Sequence, residues 1–358
     1  MKIAFVHEYL IQFGGAERML AALSEAFPNA PIYTLMYDER ATRGIFKNRQ
    51  IVTSFLQKFP FAKTQHRLYP LLMPLAVEQF DFSDYDVVLS LSASFAKGVI
   101  TKPGTRHICY CLTPPRFLWD NSQRFVEDFG FPWIIRRLGL PLISYLRLWD
   151  VQAADRPDVF WSISDFVSAR IRKYYGRPAQ VIYPPVSAGS FRVSDAPSDY
   201  FLMVGRLVSY KKFDLAIEAF NILGLPLKIA GTGPEFGRLR RLAGPNVEFL
   251  GAVSEQRLAE LYSRCRALVF PQEEDFGIVP LEAMASGRPV IAYRAGGALE
   301  TVAEGKTGVF FDDQTVESLA AAVRTFRPEA YDPQICRAQA EKFDTAVFKK
   351  KVIEALGL

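Results

Sequence analysis

The sequence predicts two α/β domains, each built on a parallel sheet with helices on its faces. Short apolar runs alternate with helix-periodic segments along the whole chain, the pattern of βαβ units. The length of 358 residues exceeds what one ordinary core holds, so two domains of roughly 150 to 200 residues follow. The alternation is broken once, at residues 184–198, by a polar run rich in proline, glycine and serine, the composition of an interdomain linker. The expected division is 1–187, a linker at 188–198, and 199–342, with a closing helix at 343–358.

The first domain opens with a strand, Lys2 to Val6, and then Gln12-Phe-Gly-Gly-Ala-Glu-Arg-Met-Leu20, a glycine turn leading into a helix. Met19, Leu20, Leu23 and Ala26 share one side of that helix. Gly14 and Gly15 would let backbone amides approach an anion at the positive helix end, although a plain tight turn uses the same residues. Strands follow at Pro31–Leu35, Tyr85–Ser90, His107–Cys111, Asp158–Ile163 and Gln180–Tyr183. Ser164-Asp165 is placed to cap a helix. The loop Leu112-Thr-Pro-Pro-Arg-Phe-Leu-Trp-Asp120 carries Arg116 and Asp120 between stiffening prolines. Asp81, Asp84 and Asp86 precede a strand and read as a solvated turn rather than a metal site.

Two further stretches, Ser54 to Pro74 and Phe131 to Trp149, interleave aromatic and aliphatic residues with basic ones, including Lys58, Lys63 and Arg67. Such segments suit contact with an anionic membrane surface. Helices packed on the sheet, with basic side chains reaching back to water, give the same pattern.

The second domain alternates again: strand Tyr200–Val204, loop Gly205-Arg-Leu-Val-Ser-Tyr-Lys-Lys212, and a helix to Asn221. Strands Leu227–Ala230 and Val247–Leu250, an amphipathic helix Glu255–Arg264, and strand Ala267–Phe270 come next. Glu273, Glu274 and Asp275 then form an acidic loop, Phe276-Gly277 bend the chain, and a helix runs toward Gly287. Strands Val290–Tyr293 and Val309–Phe311 complete the set. The loops thus gather at the carboxyl ends of the strands, where open α/β sheets bind ligands. Arg206 and Lys211 there can clamp a pyrophosphate. Glu274 and Glu282, eight residues apart, can accept sugar hydroxyls. A nucleoside diphosphate sugar has the diphosphate, ribose diol and hexose hydroxyls that match, and two facing domains would hold it in a cleft.

Composition narrows the class. Hydrophobic content of 49% and charged content of 23% describe a folded globular chain. A net charge of +5 is too mild for a nucleic-acid binder, yet it suits anionic ligands or an anionic membrane face. No apolar run reaches the roughly 18 residues of a membrane span, and His7 and Glu8 interrupt the start too soon for a signal peptide. Cys109, Cys111, Cys265 and Cys336 lack metal spacing, so buried, reduced thiols in the cytoplasm are expected. The glycine spacing after the first strand is not G-x-G-x-x-G, and there is no P-loop, zinc signature or serine elbow.

Glu274-x7-Glu282 with Phe276-Gly277, the Gly205-Arg206 to Lys211 loop, Gly231-x-Gly-Pro and Gly14-Gly-Ala-Glu17 resemble the family 4 retaining glycosyltransferases of GT-B fold. The resemblance spans nearly the whole chain and is nearest to bacterial and archaeal mannosyltransferases of surface-polysaccharide and O-antigen synthesis. It implies two Rossmann-like, doubly wound domains facing a cleft, with the last helix returned to the first domain. It implies that Arg206 and Lys211 bind the donor diphosphate and that no metal or other cofactor is needed. Glu274 would hold the donor sugar and Glu282 the ribose, with Asp275 beside them. The amides of Phe276, Gly277 and Ile278, and Gly14 and Gly15, would lie against the donor, and Val253 against its base. Leu112 and Arg116 are the acceptor-side candidates. Leu112 stands where related enzymes commonly carry a histidine, and the only histidines are His7, His66 and His107.

The expected activity is metal-independent, retaining transfer of mannose from GDP-mannose to a glycan on a lipid carrier. The expected place is the cytoplasmic face of the membrane, through peripheral contact. Rival readings are a UDP-sugar-dependent transferase, a GT-B epimerase and a non-catalytic nucleotide-sugar-binding protein. An epimerase would need acid/base carboxylates and a histidine in the cleft, and the scarcity of histidine, three in the chain, argues against it.

Overall fold

The computed structural model describes residues 1–120, 133–194 and 198–358, the side chains of 133–140 excepted. The chain divides into two units, Met1–Tyr183 and Pro184–Leu358.

In the first unit β1 (Ile3–Leu10), β2 (Ile32–Tyr37), β3 (Ile51–Thr53), β4 (Val87–Ser92), β5 (Arg106–Cys111), β6 (Val159–Ser162) and β7 (Gln180–Val181) form one sheet. The order is β3-β2-β1-β4-β5-β6-β7 and all pairings are parallel. Helices α1 (Gly15–Ala26), α2 (Met73–Glu78), α3 (Arg116–Trp119), α4 (Trp133–Ala153) and α5 (Asp165–Tyr175) accompany it. Alternate residues of β1, Ala4 and Val6, join Leu35, Val88, Leu146 and Trp149 in the core on one face, as a central parallel strand buried on both sides requires.

The strand β1 runs four residues past its expected end because its polar residues are accommodated inside the sheet. His7 is sealed at 5% exposure, and burial lowers its pKa to about 4. Glu8 is 6% exposed and is met by a row of backbone amides. The short β3 went unforeseen, since three residues carry almost no period. Ser164 caps α5 as expected, accepting from Val167 N at 3.0 Å. All four cysteines are free and buried, and Asp81 closes its own turn by accepting from Ser83 N at 2.9 Å.

The second unit repeats the plan. Its strands β8 (Phe201–Val204), β9 (Leu227–Ala230), β10 (Val247–Gly251), β11 (Leu268–Phe270), β12 (Val290–Tyr293) and β13 (Gly308–Phe311) are parallel, in the order β10-β9-β8-β11-β12-β13. Helices α6 (Phe213–Leu223), α7 (Phe236–Leu242), α8 (Glu255–Arg264), α9 (Ile278–Ala285), α10 (Ala298–Thr301), α11 (Val316–Thr325), α12 (Pro333–Glu341) and α13 (Thr345–Leu356) complete it. Each sheet thus grows outward in both directions from its first strand. The order reverses at β1/β4 in one unit and at β8/β11 in the other, and ligands of doubly wound sheets bind at that switch point.

The expected linker is partly anchored to the second unit. Val186 N donates to Phe343 O at 2.9 Å, Arg337 reaches Phe191 O at 2.9 Å, and Ser198 N reaches Arg264 O at 2.7 Å. Its residues 195–197 lie outside the described residues, as do 121–132, which include the start of the second aromatic and basic stretch. Among the described residues no helix is long and apolar enough to cross a membrane.

Candidate donor site

At the second switch point β11 ends at Phe270 and the chain turns through the acidic loop into α9. Gly277, the residue before the helix, holds φ +89°, a backbone conformation glycine adopts at little cost. All of α9 from Pro280 to Ala285 is buried, and Arg337 donates to its Ala285 O at 2.7 Å. A helix so enclosed at its sides and far end leaves its first amides as its open polar groups.

Gly297 braces the loop from behind. Its amide donates to Glu274 O at 2.9 Å, and a Cβ there would stand 2.3 Å from Phe276 Cα. Only glycine allows that approach, which accounts for the Gly296-Gly297 pair in the sequence. Phe276, 3% exposed, turns inward against Phe343 with ring centroids 5.7 Å apart.

Lys211 and Glu274 are brought together directly. The Lys211 ammonium pairs with Glu274 Oε1, and both side chains are largely shielded, at 13% and 18% exposure. Gln272, 2% exposed, donates from Nε2 to the same oxygen at 3.2 Å. An ammonium has three N–H groups, so Lys211 can keep Glu274 in place and still present hydrogens to a phosphate. Arg206, two residues past β8, is exposed and makes no ion pair with the described residues. Gly231 packs the turn after β9 so tightly that a Cβ would lie 1.9 Å from Gly205 O, which fixes the backbone carrying Arg206.

Glu282 sits in α9, 5% exposed, and its Oε2 accepts from the Tyr262 hydroxyl at 2.8 Å. Asp275 and Ile278 are half-buried beside the loop. Val253 follows β10, the edge strand two places from β8, and is half-buried. The second sheet therefore unites Lys211 with Glu274 and sets the α9 amides and Glu282 on one short segment. Val253 stands apart in strand order.

In the first unit Gly15 opens α1 and is exposed. The Gly14 amide is already engaged, donating to Glu17 Oε2 at 2.7 Å. Burial raises the pKa of Glu17, which is 2% exposed. Leu112 follows β5, half-buried, its amide donating to Ser92 O at 2.8 Å. Arg116 begins α3 and is half-buried. Tyr262, Gln272 and Gly297 support the site although the sequence reading does not name them for it. Only the glycine pair left a mark in the sequence, since a tyrosine on an amphipathic helix and a glutamine at a strand end carry no signature.

Residues 191–343 match the family model described as glycosyl transferases group 1. The chain is 25% identical over 391 residues to the alpha-1,3/1,6-mannosyltransferase ALG2 of Dictyostelium discoideum, covering 90% of this chain and 88% of that one. It is 30% identical over 246 residues to a GDP-mannose-dependent alpha-(1-6)-phosphatidylinositol monomannoside mannosyltransferase of Mycobacterium tuberculosis, over 59% of this chain and 62% of that one. Among solved structures, Anabaena Alr3699/HepE in complex with UDP superposes with TM-score 0.74 at 18% identity, covering both chains completely. Sucrose-phosphate synthase from Thermosynechococcus elongatus reaches the same TM-score at 16% identity, over 99% of this chain and 98% of that one. The chain is a glycosyltransferase of GT-B fold, with a group 1 glycosyl transferase domain at residues 191–343, related to mannosyltransferases.

Proposed function

We propose that the chain transfers mannose from GDP-mannose to a hydroxyl of a lipid-linked glycan, with retention of anomeric configuration and without a metal. The observation that carries this reading is the cluster at the β8/β11 switch point. There Lys211 is paired with Glu274, and Arg206 is exposed two residues past β8. The relatives matched over most or much of the chain are named as mannosyltransferases, one of them GDP-mannose-dependent, which favours that donor.

In this reading Arg206 and Lys211 hold the diphosphate and stabilise the charge that grows on it as it leaves. The α9 amides from Phe276 to Ile278, and Gly15, add to that field. Glu274 accepts from the sugar hydroxyls, Glu282 from the ribose, and Val253 lies by the base. The acceptor oxygen bonds to the sugar's C1 on the face from which the phosphate departs, and the hydroxyl proton passes to the departing phosphate oxygen. No histidine is needed for that proton, which fits a leucine at position 112. Leu112 and Arg116 serve the acceptor side.

Contact with the cytoplasmic membrane face would run through residues 54–77, which contain no aspartate or glutamate. Phe61 is 69% exposed there and Leu75 60%, near Lys58, Lys63 and Arg67, the mixture that lodges at an anionic lipid surface.

The test is incubation with GDP-mannose, UDP-glucose or UDP-N-acetylglucosamine and a panel of octyl glycosides, with and without EDTA. The product's anomeric linkage is read by proton NMR. An α-mannoside formed equally well in EDTA is expected. A β-linkage, or dependence on added metal, overturns the mechanism, and turnover of UDP-sugars alone replaces the donor.

A further inference from the structure

The first sheet has a switch point of its own, and one carboxylate occupies it. Glu8 lies on β1 one residue beyond the last β1–β4 pair, His7 with Leu91. Its Oε1 accepts from the amides of Ala93 at 3.0 Å, Phe95 at 2.7 Å and Ala96 at 3.4 Å, from the amide of Ser94, and from the Ser92 hydroxyl at 3.3 Å. Its Oε2 accepts nothing from the described residues. That oxygen is also not among the atoms sealed from solvent without a partner, as both ring nitrogens of His7 are. One oxygen thus ties down the loop after β4, and the other is left open at the carboxyl edge of the sheet. Burial raises the pKa of the group, while the amides and nearby Lys97 oppose that shift. A carboxylate held so firmly on one side, with an unsatisfied acceptor on the other, is preorganised for a ligand hydroxyl.

We infer that Glu8 binds the acceptor sugar, its Oε2 accepting a hydrogen bond from a hydroxyl beside the one that attacks. The inference rests on the transferase reading above, and it makes Glu8 a determinant of acceptor choice. The attacking hydroxyl keeps its own proton for the departing phosphate, so Glu8 gains and loses none.

Glu8→Gln separates the two oxygens chemically. A glutamine Oε1 still accepts from the 93–96 amides, while an NH2 replaces the open acceptor. With GDP-mannose as donor and octyl α-mannoside as acceptor, Glu8→Gln should lower kcat/KM for the acceptor by about ten- to a hundredfold. Donor Kd, donor hydrolysis and melting temperature should stay at wild-type values. Glu8→Asp, which withdraws the whole carboxylate by one methylene, should lose acceptor kcat/KM as well, and it should also melt lower because its contacts to the 93–96 amides are lost. Among monodeoxy octyl mannosides, one should be as poor for the wild type as the parent sugar is for Glu8→Gln, and the variant should not distinguish the two. Unchanged acceptor kinetics in Glu8→Gln overturn the inference. So does a loss confined to stability and donor affinity in both variants, which marks a purely structural carboxylate. Absence of wild-type transfer from any donor to any octyl glycoside overturns the underlying reading instead.

Discussion

Tyr262→Phe removes one oxygen and tests whether Glu282 is held in place by its neighbour. The tyrosine is fully buried on α8, its ring centroid 5.9 Å from that of Phe191, and its hydroxyl donates to Glu282 Oε2 at 2.8 Å. Phenylalanine keeps the ring packing, so the change isolates the hydrogen bond. A hydrogen bond to a charged group contributes about 1.5–3 kcal/mol. At roughly 2–4 °C per kcal/mol for a unit of this size, melting should fall by about 3–12 °C. On the proposed assignment of Glu282 to the ribose, a less firmly held carboxylate should also weaken nucleotide binding, by about fivefold for a loss near 1 kcal/mol. Scanning calorimetry and titration calorimetry with GDP-mannose read the two effects. If the variant melts and binds like the wild type, the hydroxyl does not position Glu282, and the ribose assignment loses its support.

Other perturbations have equally definite outcomes. Gly297→Ala drives a Cβ to 2.3 Å from Phe276 Cα, so the acidic loop must shift. Destabilisation of about 1–3 kcal/mol with loss of donor binding is expected, and full donor affinity would contradict the brace. Asp150→Leu strands Lys97, which is 1% exposed, and also the Trp119 Nε1 and Tyr175 hydroxyl donors at 2.9 Å each. Urea unfolding should show a loss of about 3–5 kcal/mol, partly restored in Lys97→Met/Asp150→Leu. Burial holds His7 at about 4 and His107 at about 3, both below the ordinary 6.5. Below pH 6.5 the unfolded chain takes up protons that the folded chain refuses. Their stabilising contribution is therefore complete above pH 6.5, and each loses about 1 kcal/mol per pH unit as pH falls toward 4. His107→Gln should flatten that slope by one histidine's share, and an unchanged slope would refute the assignment.

The double α/β plan was legible because a parallel strand buried on both faces reads as an apolar run, as Phe201–Val204 and Val290–Tyr293 do. The amphipathic helix Glu255–Arg264 matched its structure residue for residue, with Ser254 capping it. Arg206, Lys211, Glu274 and Glu282 were singled out because cations and carboxylates at strand ends point to a ligand. Their partners stayed hidden. That Lys211 would pair with Glu274, 63 positions along, depends on β8 and β11 being neighbours, and no local pattern encodes the neighbour of a strand. In the sequence Glu8 is a polar interruption for the same reason, since the amides that make its burial tolerable come from residues 93–96.

GDP-mannose affinity in Arg206→Ala and Lys211→Ala tests the proposal that these two cations hold the donor diphosphate. Each lost charge-assisted contact should raise Kd by about ten- to a hundredfold and cut transfer further, with melting unchanged for the exposed Arg206. Wild-type affinity and turnover in both variants would contradict it.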